Sequence, residues 1–167
     1  MTDPDAELVS TLAVPVPAAA EIIPAARASR GPPRITVLFP FVCPERIDGR
    51  LEREIERIAR MAAPFEFALA RVDRFPGVLY LAPAPSEPFK RLTAECVARW
   101  PEHPPYGGAY DEVVPHLTVA EGAEPPGLAE ALGRELPLRA QATELALLVR
   151  DPGAGWSTRT VFALGGG

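Results

Sequence analysis

Two short stretches carry residues able to handle an anion and a proton: PPRITVLFPF at residues 32–41 and VPHLTVAEGA at residues 114–123. Each sets a basic residue two positions before a threonine, Arg34 with Thr36 and His116 with Thr118. In a strand, residues two apart face the same way, so each basic group shares a face with its hydroxyl. Two hydroxyls and two basic groups around a cleft suit a tetrahedral anion such as a phosphate. The basic groups differ in kind. An imidazole has an unperturbed pKa of about 6.5 and shuttles protons near neutrality. A guanidinium stays protonated up to a pKa above about 12, so it binds phosphate in a fork but does not act as a base. Each residue alone also has a plainer explanation. Threonine is an ordinary strand residue, and a histidine at a strand start is as often a packing group.

The elements that must position these residues follow from periodicity. ELVSTLAVPVP (residues 7–17) reads as a strand ending at its prolines, and AAAEIIPAARASR (18–30) as a helix shortened or kinked by Pro24. The Arg34 strand runs to about Phe41. Residues 45–62 are predicted to form an amphipathic helix, with Ile47, Leu51, Ile55, Ile58 and Ala62 on one face. FEFALARV and GVLYLAP are strands parted by Pro76-Gly77. Residues 86–100 form a helix buried through Phe89, Leu92, Cys96 and Trp100. After the His116 strand come a short helix with Leu128, Leu132 and Leu136 inward, then the strands TELALLVR and TRTVFALG.

The order repeats. Arg34 precedes His116 by the same number of residues as Thr36 precedes Thr118 and Leu79 (of LYLA) precedes Val161 (of VFAL). Glu66 (of EFAL) precedes Glu144 (of ELAL) by nearly as many. Three matches in one order predict two related lobes, each a β-α-β-α-β unit around its own piece of sheet. An approximate twofold axis between the lobes would bring the four side chains to one cleft.

Composition narrows the function. The chain has 167 residues with the apolar and charged balance of one ordinary globular domain, and its 21 prolines fall between the periodic segments. A net charge of −5 argues against a general nucleic-acid coat, which needs a basic face to release counterions. A local positive pocket for an RNA end or a small phosphate ester remains compatible with it. No apolar run is long enough to span a membrane. The acidic start MTDPDAELVS has the wrong charge for a secretory signal, so the cytoplasm is the expected compartment. Cys43 and Cys96 lack metal-ligand spacing and read as unpaired thiols. There is no P-loop, no G-x-G-x-x-G and no Cys/His metal cluster.

With these residues in place, PPRITVLFPFV and VPHLTVA resemble the two motifs of the two-histidine (2H) phosphoesterases, the RNA ligase-like or 2′,3′-cyclic phosphodiesterase superfamily. The likeness extends through RFPGVLYLAP, EPFKRLTA, PEHPPYGGAYDEVVPHLTVA and the closing FALG. It implies an α+β fold: one domain over residues 1–167, bilobal and pseudo-twofold, with antiparallel sheets lining a central cleft and lobes of about 7–75 and 76–164. It also implies two His-x-Thr or His-x-Ser motifs acting on 2′,3′-cyclic or 2′-5′ phosphodiesters without a metal or other cofactor. One histidine would activate the attacking water or hydroxyl, the other would protonate the leaving oxygen, and the hydroxyls would hold the phosphate. The chain matches the second motif through His116 and Thr118 and departs at the first, where Arg34 stands in the histidine's place. Losing a matched acid or base typically costs on the order of a hundred- to ten-thousand-fold in rate.

Three functional readings follow: a phosphoesterase-like enzyme with altered or reduced catalysis, a silent phosphate- or nucleotide-binding module, and an enzyme repurposed to a non-phosphate substrate with His116 as sole acid-base group. The expected partner is a small phosphate ester or RNA end bound by a monomer. Arg34, Thr36, His116 and Thr118 would form the catalytic set. Tyr106, beside Gly107 and Gly108, would wall the cleft and stack on a base, or simply pack. His103 reads as a replacement imidazole or as a solvent-exposed loop residue. Glu66 and Glu144 read as a carboxylate pair or as a solvated edge.

Overall fold

The computed structural model describes residues 8–23 and 31–165. β1 (Val9–Pro15) is almost wholly buried and stops where Pro15 and Pro17 remove backbone donors. Over the described part of the helix expected at residues 18–30, the structure has one 3-10 turn, Pro17–Glu21. Pro24 disfavours helical geometry at the residue before it, and residues 24–30 lie outside the described residues. β2 (Arg34–Leu38) ends two residues before Pro40, shorter than the expected run to Phe41. A 3-10 turn over Pro44–Arg46 then leads to α1 (Gly49–Met61), which starts later than the periodicity suggested. Asp48 sets that start, because its Oδ1 accepts the Leu51 amide at 2.9 Å as an N-cap.

β3 (Phe65–Phe75) turns at Pro76-Gly77 into β4 (Val78–Ala84), with Gly77 at φ 75° supplying the left-handed residue. α2 (Glu87–Arg99), β5 (Leu117–Glu121) and α3 (Leu128–Arg134) follow. β6 (Leu138–Ala142) is a strand that periodicity did not reveal. The hairpin of β7 (Glu144–Asp151) and β8 (Gly155–Ala163) completes the fold.

The strands make two antiparallel four-stranded sheets, ordered β2-β1-β7-β8 and β5-β4-β3-β6. The first takes its strands from both ends of the chain and the second from the middle, so β3 and β4, on either side of a boundary at 75/76, lie side by side. By position in the sheets, β2 corresponds to β5 and β7 to β3, as the Arg34/His116 and Glu144/Glu66 repeats imply. The LYLA/VFAL repeat is corrected by this order, because β4 is an inner strand and β8 an edge.

One core cluster joins the inward faces of both sheets to the helices. Leu51, Ile55 and Ala59 of α1 lie in it, and Thr160 of β8 donates a hydrogen bond from its hydroxyl to Glu52 of α1 at 2.9 Å. α2 packs on β2, where the buried Thr93 hydroxyl donates to the Val37 carbonyl at 2.7 Å. That bond ties the edge strand carrying Arg34 to the body of the protein.

Candidate functional site

Burial alternates along both motif strands. Ile35 and Val37 of β2 are buried while Arg34 and Thr36 are half-buried; Leu117 and Val119 of β5 are buried while His116 and Thr118 are half-buried. The core therefore fixes the register, and a slip of one residue would drive the polar groups inward. β2 and β5 are the edges of their own sheets and neighbours in space. The fold thus brings the two motif strands together, with each basic residue and its threonine on the face turned away from the core.

The two basic residues are held alike. His116 Nδ1 lies 2.7 Å from the Val114 carbonyl oxygen, and Arg34 Nη1 donates to the Pro32 carbonyl at 3.0 Å. Each binds the carbonyl two residues upstream. Because a carbonyl only accepts, the contact puts the proton of neutral His116 on Nδ1 and leaves Nε2 as the basic nitrogen. The His116 ring stands edge-on to Phe75 and Tyr80, with centroids 5.1 and 5.4 Å away. Burial among these rings lowers its pKa below the ordinary 6.5, while the Val114 bond and Glu121 pull the other way. His116 is therefore mainly neutral at pH 7, with Nε2 open to accept a proton.

This shift has a testable sign. A histidine whose folded pKa is lowered leaves the unfolded chain binding more protons between the two values. Stability should fall as pH drops from about 6.5 and level off below the folded pKa. Urea unfolding across the range from neutral to mildly acidic pH should show that segment of the acid dependence in the wild type and lose it in His116→Asn. An unchanged dependence would place the titration elsewhere.

Residues that sequence reasoning missed surround Arg34. Its guanidinium carbon sits over the Trp156 ring at 5.1 Å, and Arg150 lies over the same ring at 5.3 Å. Trp156 rests on Ala13, Ala146 and Leu148, a small apolar cluster on the other face of the first sheet. Cross-strand pairing sets Arg150 opposite Trp156, and sets Thr36 opposite Ala13, which faces Ala146. The signal was present in VRDPGAGW, where hairpin pairing aligns the arginine and tryptophan across a Pro-Gly turn. Gly31 abuts the base of this side chain and its backbone: at φ 87°, a Cβ added there would meet Trp156 Cβ at 2.7 Å and its carbonyl oxygen at 3.0 Å.

The remaining candidates are placed as follows. Tyr106 packs on Phe39 (6.2 Å), which packs on Trp156 (6.1 Å), so Tyr106 belongs to the ring series that ends under Arg34. Its amide donates to the Phe39 carbonyl, its backbone is left-handed at φ 52°, and burial, with Tyr110 beside it, pushes its hydroxyl up to about 12. His103 lies edge-on to the core ring Phe41 at 5.5 Å. Glu66 and Glu144 stand exposed on separate sheets, and Glu66 accepts from Gln141 at 3.4 Å. Cys43 is exposed, and Cys96 is buried with its thiol pushed up to about 12 by burial.

Two antiparallel four-stranded sheets with their helices make a two-lobed α/β fold that solved structures share. The crystal structure of TT0787 of Thermus thermophilus matches with a TM-score of 0.66 at 20% identity, covering 95% of this chain and 98% of that one. E. coli LigT complexed with 3′-AMP matches with a TM-score of 0.62 at 16% identity, covering 93% and 97%. LigT complexed with ATP gives 0.61 at 18% identity, covering 95% and 99%. These likenesses establish the fold. The sequence profile of the 2′-5′ RNA ligase superfamily matches residues 11–154, and the chain belongs to that superfamily of 2H phosphoesterases. A search of curated proteins gave no match.

Proposed function

We propose that this protein binds a phosphate ester of the nucleotide or RNA-end class between β2 and β5. Its catalysis is altered or reduced because Arg34 takes the place of the first motif's histidine. The observation that carries the reading is the matched tethering of Arg34 and His116 to carbonyls two residues upstream on neighbouring edge strands. Crystal structures of LigT, a protein of the same fold, include complexes with 3′-AMP, ATP and NADP+.

In the proposed cleft, the Thr36 and Thr118 hydroxyls donate to phosphate oxygens and Arg34 supplies a permanent positive charge. His116 accepts the proton of an attacking water at Nε2 as its oxygen bonds to phosphorus. The leaving oxygen then departs without a titratable partner near neutrality, which slows the step. A second reading, a binding module without turnover, draws support from Arg34 being held over Trp156, which presets its positive charge for an anion.

Titration with 3′-AMP tests the shared core of both. Arg34→Ala should weaken binding by about 1.5–3 kcal/mol, the loss of a hydrogen bond to a charged group. Unchanged affinity, or a soaked crystal with its phosphate away from Arg34, Thr36, His116 and Thr118, would sink the cleft assignment.

A further inference from the structure

Resting on that cleft, we infer that Arg150 and Trp156 extend it into a second anion subsite, so that the preferred ligands carry a pyrophosphate rather than a single phosphate. The observation is two guanidinium groups gathered on one indole. Arg34 comes from the motif strand β2, and Arg150 from β7, on the far side of β1. Both lie within 5.3 Å of the Trp156 centroid, which brings two like charges within reach of one ligand. Two planar guanidinium groups beside one ring suit a ligand that offers two phosphate groups rather than one.

The scaffold is built to hold this arrangement. Trp156 lies on Ala13, Ala146 and Leu148, and is hemmed in by Phe39 on one side and Gly31 on another. Ala13 pairs with Thr36 across the strands, so the indole belongs to the same face as the motif hydroxyl. An anion at Thr36 and Arg34 therefore has its next phosphate directed along the indole toward Arg150. A planar guanidinium seated on a ring loses little freedom when phosphate oxygens engage its edge. Among the described residues, no guanidinium sits over the rings beside His116, Phe75 of β3 and Tyr80 of β4.

The test compares AMP with ADP, and inorganic phosphate with pyrophosphate, by quenching of Trp156 fluorescence and by calorimetry. The wild type should bind ADP at least about tenfold more tightly than AMP. Pyrophosphate should show the same preference over phosphate, since no base is involved. Arg150→Gln should reduce both preferences to less than about threefold, through lost affinity for the two diphosphates, while Arg150→Lys keeps part of the preference. Matching circular dichroism and melting curves establish that the variants fold. Equal loss of AMP and ADP affinity in Arg150→Gln would make Arg150 a support for Trp156 and overturn the subsite. Binding of AMP that depends on Thr36 and Thr118, with no gain for ADP, overturns the subsite but leaves the cleft standing. Binding of neither nucleotide overturns both.

Discussion

Arg34→His should raise hydrolysis of a 2′,3′-cyclic nucleotide by at least about tenfold, toward the hundred- to ten-thousand-fold contribution of a well-placed acid or base. The site is prepared for the exchange. The Pro32 carbonyl that now receives the Arg34 guanidinium is the counterpart of the Val114 carbonyl that orients His116. A histidine at position 34 has that carbonyl at hand to hold Nδ1–H, leaving Nε2 to exchange a proton with the leaving oxygen. Thr36 keeps its place because Ile35 and Val37 anchor β2 in the core. The exchange also removes one of the two guanidinium groups over Trp156, so substrate affinity should weaken while turnover rises. Steady-state kinetics on cyclic AMP of the 2′,3′ type would separate the two effects. A variant that melts like the wild type yet gains no turnover would mean that Arg34 serves a different function.

His116→Asn should abolish most activity, by about a hundred- to ten-thousand-fold. Asparagine is the informative replacement. Its amide can still donate to the Val114 carbonyl, whereas alanine would strand that oxygen and leave a gap beside Phe75 and Tyr80. Stability near neutral pH should change by no more than about 1 kcal/mol, the net worth of a typical hydrogen bond. Turnover within a few-fold of wild type, measured beside a buffer blank, would remove His116 from the chemistry and favour the binding module.

Much of this was legible before any coordinates. The helices announced themselves through Leu51, Ile55 and Phe89, Leu92, Cys96 at helical spacing, and the motif strands through alternation around Thr36 and Thr118. β6 escaped because LRAQA offers alternation without β-branched or aromatic residues; it pairs with β3 because Leu138, Ala140 and Ala142 turn inward there. The repeat gave the correspondence of β2 with β5, but LYLA and VFAL misled because short apolar strands resemble each other whatever their neighbours. Trp156 and Arg150 were hidden for a different reason. VRDPGAGW could show that they face each other across a hairpin, but their place beside Arg34 arises only when that hairpin is laid against β1, which no local pattern specifies. Pairing of that kind is a property of the whole chain.

The interleaved sheets also set an order of assembly. Every strand of the second sheet lies between Phe65 and Ala142, so a nascent chain can complete it as soon as that stretch has left the ribosome. The first sheet has only β1 and β2 at that stage, a two-stranded ribbon of the kind that is marginal alone in water. Thr11 must wait for Leu148, its partner in β7, before the ribbon gains its third strand. Closing so long a loop adds little thermodynamically, since each doubling of length costs about 0.6 kcal/mol, but non-local pairings of this kind form slowly. Until then, the edge of β1 that will meet β7 presents open hydrogen-bonding groups beside apolar side chains, a surface to which chaperones and other unfinished chains are drawn.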